Sequence, residues 1–566
     1  MNEKKIKYIC LGLLAILIIF HITNNLYFLA KHPLAEGKDS YAHLTAYSNF
    51  KQIIENGKHN PFYRQEKSLV YNLVFGVIDY PPLFYASACI VNLLLGSFIM
   101  NAALLTNTFY LIILLLSVYA IANRISPLAG IISAFICGMY PMIFLSSRHF
   151  SIELALSAMS AVSIYFLLKT DFFQNLKFSF FLGVFLGLGM LTKQTFFIYI
   201  SGPMGFYLWA CFSQKQASLI LDKRKLNLFI CLSIGVLISS IFYYNQGVYL
   251  SVLNRAGFIG AVNNNNLFSF EHLSYYLVSL LNTIGAFFLF LLIAAFFNFG
   301  MIEQNAKDKV ILKEKVNPKD IENTKYIKYI LILWGLVPFC VFTFIKLKYA
   351  EYTIAYLPAF GLITGLAIAS INRKFIRILI IAAVICISIF SYYRLSLGKD
   401  RMFYATYYPP LPKINATYSE NGSYDVNQVL ENIGNSDAKV GIFYDNDNIG
   451  LFFPSYFVRL VGLKPQKKAQ IVDFSFCSDV FWAGLNDFDI MIFVSRSDQQ
   501  WITKKSFRRF LEQMNLKTAN QLIVKDADVI SLVAMREKFQ KINAIVLDDL
   551  KNDNTYENVH IYKRIN

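Results

Sequence analysis

Four acidic residues lie beside long apolar segments, where their carboxylates could do chemistry. In chain order they are Asp39, Asp79, Glu153 and Glu351. A carboxylate close to a bilayer boundary is costly to desolvate, so it is a functional candidate by default. Such a group can act as a general base, bind a divalent cation or pair with a cation. An ordinary salt bridge to a nearby lysine or arginine is the competing interpretation for each of the four.

Basic side chains in similar positions could bind an anion. They are Arg148, Lys193, Lys346 and Lys348. Lys193 lies between two apolar stretches, so its ammonium needs an anion, a cavity or a route to the membrane interface. A phosphate group at the membrane surface would supply that anion, and we predict that these four residues bind one.

Asp39 and Asp79 each have a tyrosine within two residues, and we predict that these tyrosines, Tyr41 and Tyr80, contact the substrate. Most of the other aromatic side chains fit lipid-facing or interfacial positions. Asp39 and Glu153 are the acids that could hold a divalent metal, and the sequence indicates no other cofactor. Seven of the eight cysteines lie in apolar runs, and none belongs to a Cys-x-x-Cys metal motif.

Helices that cross a membrane must position these residues. Apolar runs of about 20 residues, the length needed to cross the hydrocarbon core, recur along the first 395 residues. The run from Tyr8 to Ala30 is too long for a signal peptide and lacks a small-residue cleavage site, which indicates a signal anchor. Further spans are predicted at about 104–121, 127–147, 151–168, 179–192, 195–212, 228–244, 275–299, 328–345, 353–371 and 374–394. The total is eleven or twelve, depending on whether the short segment 83–100 crosses.

Basic residues in the connections predict the orientation of these spans. Lysines at positions 4, 5 and 7 precede the first span, so the N-terminus is predicted to be cytoplasmic and the loop 31–84 external. The basic connections 213–227, 300–327 and 372–377 are typical of cytoplasmic loops. The chain after about residue 396 is then predicted to lie outside the cytoplasmic (inner or plasma) membrane.

The excess positive charge of the chain lies in its apolar part. The whole chain has a net charge of +17, whereas residues 400–566 contain 20 basic and 20 acidic residues. This distribution is typical of membrane proteins whose cytoplasmic loops are basic and attract anionic membrane lipids. Nucleic-acid binding is the poorer interpretation, because the sequence has no dense basic helix and no basic patch interleaved with aromatic residues.

The residues after about 396 have the pattern of a separate soluble domain. Short strand-like runs alternate there with helical patterns, and Asn, Asp and Gly mark the turns between them. We therefore predict a polytopic α-helical membrane module, 1–395, followed by an extracytoplasmic α/β domain, 396–566. Strands are expected at Lys439–Tyr444, Asp489–Val494 and Ala544–Leu547, and helices at Asp425–Ile433 and Ser506–Met514.

Three short motifs occur in an order that resembles the GT-C integral-membrane glycosyltransferases. They are an aspartate soon after the first span, Tyr-Pro-Pro-Leu at 80–83, and Arg-His-Phe-Ser-Ile-Glu at 148–153. Within that fold the chain is similar to the family 39 protein O-mannosyltransferases and the related aminoarabinose transferases. Leu188–Gln194 resembles a glycine-rich segment of the family, and Lys348–Pro358 resembles its later charged and aromatic loop. The resemblance covers residues 1 to about 395.

The resemblance implies an inverting transfer of a sugar from a polyprenyl-phosphate donor to an acceptor at the outer face of the membrane. The acceptor can be a lipid, a glycan or a protein. Asp39 would be the catalytic base, and Glu153 would assist it. The donor phosphate would be held by the four basic residues, Arg148, Lys193, Lys346 and Lys348. Substrate contacts are expected from Tyr41, Asp79, Tyr80, Glu351 and Tyr352.

Two positions depart from the family pattern. Ser40 follows Asp39 where the family often has glutamate, and Glu153 stands where aspartate is usual. The identity of the donor and the dependence on a metal therefore do not follow from the resemblance.

Two other classes of function stay open. A polytopic transporter also carries intramembrane charges, but such proteins typically have inverted repeats, and this sequence has no internal symmetry. A non-catalytic assembly protein for envelope polysaccharide would not need acids and lysines on one face of the membrane. Both alternatives explain the chemistry-bearing residues less completely than a transferase does.

Overall fold

The computed structural model describes two compact units of the chain. The described residues are 3–31, seven positions between 43 and 54, 80–97, 102–213, 218–243, 269–297, 318–345, 348–397 and five strands between 440 and 564. One unit comprises Met1–Pro33 with Asn49–Ala416, and the other comprises Leu34–Ser48 with Thr417–Asn566. The predicted domain boundary near residue 396 stays a prediction.

The first unit is built from helices. Those described in it are α1 (Glu3–Lys31), α2 (Leu83–Leu95), α3 (Thr106–Ala122), α4 (Pro127–Met139), α5 (Pro141–Ser146), α6 (Ile152–Lys169), α7 (Leu176–Met190), α8 (Phe196–Ser213), α9 (Ser218–Tyr243), α10 (Phe270–Thr283), α11 (Ala286–Phe297), α12 (Pro318–Phe344), α13 (Leu357–Ala369) and α14 (Lys374–Leu397). Short 3-10 helices precede α3 at Ala102–Leu105 and α13 at Ala350–Thr353.

Several of these helices can cross a membrane. By length and composition, six of the described helices qualify, or seven if the bent pair α10 and α11 counts as one span. Five shorter apolar helices, α2, α4, α7, α8 and α13, accompany them. Every predicted span contains at least one helix, so the prediction of a helical multi-pass membrane protein is confirmed. The predicted total of eleven or twelve spans stays a prediction.

The predicted span 127–147 consists of two helices rather than one. Tyr140 ends α4 in an extended conformation, with φ −63° and ψ 128°, and Pro141 begins α5. A proline disfavours the helical conformation in the residue before it, so the helix ends at this point. The break lies shortly before the segment 148–153, which carries two of the predicted site residues.

The predicted span 275–299 is also broken, because α10 and α11 are bent by 113° relative to each other. Gly285 lies between them with a φ of +88°. Residues with a side chain rarely adopt this left-handed conformation. A Cβ at Gly285 would meet no atom within 4 Å, so the backbone conformation rather than space explains the glycine.

Glycines allow two pairs of helices to pack closely. A Cβ at Gly183 of α7 would overlap the Cys231 carbonyl oxygen of α9, and a Cβ at Gly365 of α13 would lie 2.6 Å from a backbone carbon of α4. Gly187 and Gly361, four residues away in each helix, continue the two contacts. This spacing of small residues lets helix backbones approach each other in a membrane. The contact of α7 with α9 also fixes the end of α7, where a site residue follows.

The described part of the second unit is a five-stranded sheet. Its strands are β1 (Val440–Tyr444), β2 (Ala469–Asp473), β3 (Ile490–Ser495), β4 (Phe539–Asp548) and β5 (Tyr556–Arg564), in the order β2-β1-β3-β5-β4. β1 pairs in parallel with β2 and β3, whereas β5 pairs antiparallel with β3 and β4. The helices predicted for this domain lie outside the described residues, so its α/β class stays a prediction.

Candidate functional site

The first turn of α6 carries a buried carboxylate. Ser151 precedes the helix in an extended conformation, and Glu153 follows in the first turn. The free N–H groups at a helix N-terminus favour negative charge there. The amide of Asn107 holds the preceding segment by donating to the carbonyl oxygens of His149 and Ser151, at 2.5 and 2.8 Å. Glu153 thus stands on a fixed backbone, with 5% of its surface exposed.

A lysine from a different connection pairs with this carboxylate. Lys193 lies in the turn between α7 and α8, where its backbone N donates to Gly189 O and its carbonyl oxygen accepts from Phe196 N. Its ammonium donates a hydrogen bond to Glu153 Oε1 and forms an ion pair with it. Burial lowers the pKa of Lys193, but the charge of Glu153 outweighs burial and raises that pKa above its ordinary value. The lysine is therefore charged at neutral pH.

Two tyrosine rings lie close to the ammonium of Lys193. Its Nζ is 5.9 Å from the ring centroid of Tyr80 and 5.4 Å from that of Tyr352. A cation within about 6 Å of an aromatic face is attracted by the ring quadrupole. Leu83 N donates to Leu191 O at 3.0 Å, which joins the segment after Tyr80 to the turn that carries the lysine. Residues from four distant parts of the chain therefore meet at one ammonium group.

Tyr352 is held in place by aromatic and backbone contacts. Its ring stacks on that of Phe342 in α12 with centroids 4.8 Å apart. Its carbonyl oxygen accepts a hydrogen bond from the Tyr199 hydroxyl of α8 at 2.9 Å. Burial raises the pKa of the Tyr352 phenol, so this side chain is neutral beside the ion pair. Glu351, its neighbour in the chain, is buried in the same 3-10 helix.

Among the residues that the structure describes, Lys348 contacts the end of α12 rather than a carboxylate. Its ammonium donates to the carbonyl oxygens of Phe342 and Thr343, at 2.8 and 2.6 Å, and lies 5.1 Å from the Tyr276 ring centroid. Basic side chains bind the free carbonyl groups at a helix C-terminus in this way. Burial lowers the pKa of Lys348 to about 8. Lys348 thereby fixes the start of the loop that carries Tyr352.

Arg148 contacts a different set of residues. Its Nε donates to Asn25 Oδ1 at 3.2 Å, and its Nη2 donates to the Tyr392 hydroxyl at 2.7 Å. The guanidinium also lies 5.0 to 5.6 Å from the ring centroids of Phe28, Phe144 and Tyr392. These partners belong to α1, α5 and α14. Arg148 therefore joins the first and the last described helix of the membrane unit.

Asn25 of α1 is a residue of this contact that the sequence analysis missed. It is 2% exposed, and its amide donates to Thr108 Oγ1 at 3.0 Å and to Ser147 Oγ at 2.9 Å. The available signal was an amide inside an apolar anchor helix, because a polar side chain within a span needs a partner. Through Asn25, α1 is attached to α3 and to the segment that leads to Glu153.

The structure brings only some of the predicted site residues together. Tyr80, Glu153, Lys193 and Tyr352 form one cluster, Glu351 is next to it in the chain, and Arg148 and Lys348 make the separate contacts described above. Asp39, Tyr41, Asp79 and Lys346 lie outside the described residues. The functional roles assigned to all of them stay predictions.

The described residues do not offer a donor set for a metal ion. Among them, no three His, Cys, Asp or Glu side chains come together. Glu153 is one of the two acids predicted as candidate ligands, and its carboxylate is paired with Lys193. The other, Asp39, lies outside the described part of the chain.

The region around this cluster matches a known family. A family model described as dolichyl-phosphate-mannose-protein mannosyltransferase matches residues 79–244. This range contains three members of the cluster, Tyr80, Glu153 and Lys193. No curated protein sequence matches the chain.

Solved structures with a similar fold cover almost the whole chain. ArnT from Cupriavidus metallidurans in the apo state matches with a TM-score of 0.53 and 11% identity, over 97% of this chain and 98% of that chain. The same protein bound to undecaprenyl phosphate matches with the same TM-score, identity and coverage. At this identity the likeness shows a shared fold.

Proposed function

We propose that the chain transfers a sugar from a polyprenyl-phosphate-linked donor, because it has the fold of the GT-C membrane glycosyltransferases that its motifs predicted. The observation that carries the proposal is the buried Glu153–Lys193 pair beside two tyrosine rings. It lies inside the range matched by the mannosyltransferase family model. ArnT, which shares the fold, has been solved with undecaprenyl phosphate bound, and this supports a polyprenyl phosphate as the lipid part of the donor.

The proposed reaction is an inverting displacement at the anomeric carbon of the sugar. The acceptor oxygen or nitrogen forms a bond to this carbon while the bond from the carbon to the phosphate oxygen breaks. The bonding electron pair leaves with the phosphate, and Asp39 takes the proton of the acceptor. The ammonium of Lys193 stabilises the charge that develops on the phosphate. Glu153 assists by orienting the acceptor.

The two other basic residues that the structure describes have a positioning role in this proposal. Arg148 and Lys348 bind amide, hydroxyl and carbonyl oxygens, so they position the helices that surround the cluster rather than the phosphate. The reaction takes place at the outer face of the cytoplasmic membrane, with the N-terminus inside. The acceptor is a lipid, a glycan or a protein.

Replacing Asp39 tests the proposed base. Asp39→Asn keeps the shape of the side chain and removes its charge, so transfer of labelled sugar should fall by a factor on the order of 10² to 10⁴. The amount of donor that the purified protein retains, measured by mass spectrometry, should be unchanged. Asp171→Asn, in the turn after the far end of α6, is the matched control and should leave both quantities unchanged. Near-normal transfer in Asp39→Asn would remove this residue from the mechanism.

Replacing Lys193 tests the proposed phosphate contact. Lys193→Met removes one preorganised charge, so the transition state should lose about 2–4 kcal/mol of stabilisation, read from kcat/KM for the donor. Lys169→Met, in the last turn of α6, is the control. Wild-type kinetics in Lys193→Met would refute the assignment. A protein that retains no polyprenyl-phosphate sugar and transfers none would favour a transporter or an assembly protein.

A further inference from the structure

Lys193 binds one anion in the structure, and the proposed reaction requires it to bind another. The first is Glu153, which forms the buried ion pair. The second is the donor phosphate, which in a polyprenyl-phosphate sugar is a phosphodiester with one negative charge. On the basis of the proposed function, we infer that the two anions bind Lys193 in turn. Glu153 holds the ammonium while the donor is absent, and the phosphate displaces it.

The ammonium has hydrogen-bonding capacity for the incoming phosphate. A lysine ammonium has three N–H donors. Within the described part of the chain, the hydrogen bond of Lys193 Nζ goes to Glu153 Oε1, and its contacts with Tyr80 and Tyr352 are made to ring faces. A phosphate oxygen can therefore form a hydrogen bond to the ammonium as the carboxylate moves away, so one anion takes the place of the other.

Because the site is buried, the phosphate replaces the carboxylate at Lys193 and does not join it there. The side chains of Lys193 and Glu153 are 9% and 6% exposed. In such a poorly solvated site an unpaired charge is costly, whereas a single cation with a single anion is tolerated. A monoanionic phosphodiester that replaces the carboxylate at Lys193 leaves the charge around the ammonium unchanged. A second anion bound to the ammonium at the same time would add an unpaired negative charge.

The displaced carboxylate still has a favourable place for its charge. Glu153 lies in the first turn of α6, and the Ser151 side chain makes no capping hydrogen bond to that helix end. The N–H groups of the first turn therefore continue to favour a negative charge. Donor binding thus releases an ionised carboxylate at the time when the acceptor needs one. Because of the exchange, Glu153 can orient the acceptor only when the donor is bound.

Removing the charge of Glu153 gives the sharpest test. Glu153→Gln eliminates the competing anion, so the purified protein should bind undecaprenyl phosphate about tenfold more tightly or better, the lower end for coupling of a close charge pair. Binding is measured at about pH 5.5, where most of this phosphomonoester carries a single negative charge, as the donor phosphodiester does. Transfer should fall in the same variant. The gain in affinity should vanish in the double variant Glu153→Gln/Lys193→Met, because there the ammonium is gone. Asp171→Asn should bind undecaprenyl phosphate as the wild type does.

The outcomes separate this inference from the proposed function. If wild-type protein binds undecaprenyl phosphate no better than uncharged undecaprenol, the proposed function is overturned, and the exchange with it. If the wild type binds the phosphate and Glu153→Gln binds it equally or more weakly, the exchange alone is overturned.

A measurement on wild-type protein keeps the test valid if Glu153→Gln does not fold. In protein labelled with ¹³C-carboxyl glutamate, undecaprenyl phosphate should shift one carboxylate stretching band in the infrared difference spectrum, and undecaprenol should not. That band should be absent in Glu153→Asp, which retains a charge for Lys193. An unchanged spectrum would overturn the exchange.

Discussion

Arg148 depends on the hydroxyl group of a residue near the end of the membrane unit. Its Nη2 donates to Tyr392 Oη at 2.7 Å. Tyr392→Phe removes this acceptor from a largely buried cation, so we expect the unfolding free energy to fall by about 1–3 kcal/mol. Thermal unfolding of the purified protein in detergent measures the loss. Tyr393→Phe is the control, because the neighbouring ring is 58% exposed. Equal stability of the two variants would contradict the role of the hydroxyl.

Lys348 should make stability depend on pH in the alkaline range. Burial lowers its pKa from the ordinary 10.5 to about 8. Between these values the unfolded chain binds a proton at this residue that the folded chain has released, so its effect on stability becomes more favourable as pH rises. In Lys348→Met this rise between about pH 8 and 10.5 should be smaller than in the wild type. Denaturant unfolding across that range checks it, with the exposed Lys374→Met expected to behave like the wild type.

The candidate site was only partly predictable at the scale of residues. Glu153 and Lys193 are recognisable in the sequence because each charge stands beside apolar segments, where charges are costly. Their pairing is not recognisable, because 40 residues separate them and the packing of α6 and α7 brings them together. Arg148 was grouped with the lysines for its charge alone. Its partner Asn25, 123 residues earlier in the chain, is identified only by the way the helices pack.

Close contact between α7 and α9 should make Gly183 intolerant of any side chain. A Cβ there would overlap the Cys231 carbonyl oxygen, which belongs to the backbone and cannot rotate away. We expect Gly183→Ala to cost about 1–3 kcal/mol through overpacking. Gly205→Ala in α8 is the matched control, because a Cβ there meets nothing within 4 Å. Its higher helix propensity should leave stability equal or up to about 1 kcal/mol higher. Thermal unfolding of the two variants in parallel distinguishes these results.

At the scale of elements, hydropathy predicted where helices occur but not where they break. A span is recognisable because the hydrocarbon core requires about 20 apolar residues. The break at Tyr140 had a local signal in the proline that follows. The break at Gly285 had a weaker local signal, because glycine is common within membrane helices. Only the positive φ of Gly285 shows that this glycine marks a bend and not a close contact between helices. Apolar periodicity alone carries no information about that angle.

The orientation of the whole membrane unit is testable by reporter fusions. The basic residues before the first span and the basic connections predict a cytoplasmic N-terminus and an external chain from residue 396 onward. An alkaline phosphatase reporter fused after residue 399 should therefore be active, since it requires an extracytoplasmic location. A reporter fused in the basic connection 213–227 should be inactive and serves as the control. The reverse pattern would overturn the predicted topology.

The second unit shows what a single sequence can reveal about a sheet. Three predicted strands coincide with β1, β3 and β4, because apolar runs between turn residues are a local signal. β2 and β5 were missed, although Val559 and Ile561 of β5 alternate with polar residues. The order of the strands depends on contacts between distant parts of the chain, as in the parallel pairing of β1 with β2. Such pairing has no local signature.

The contact between Arg148 and Tyr392 also has a consequence for the timing of synthesis. The two residues are 244 positions apart, so at about 5–20 residues per second the arginine is made roughly 12 to 50 s before its phenolic partner exists. During that interval Asn25 of α1, which is made first, is already present to accept a hydrogen bond from the guanidinium. We therefore expect α1 to provide a partner for this buried charge while the chain is being made, and the set of contacts around Arg148 to be complete only after α14, the last helix that the structure describes in this unit, has been synthesised.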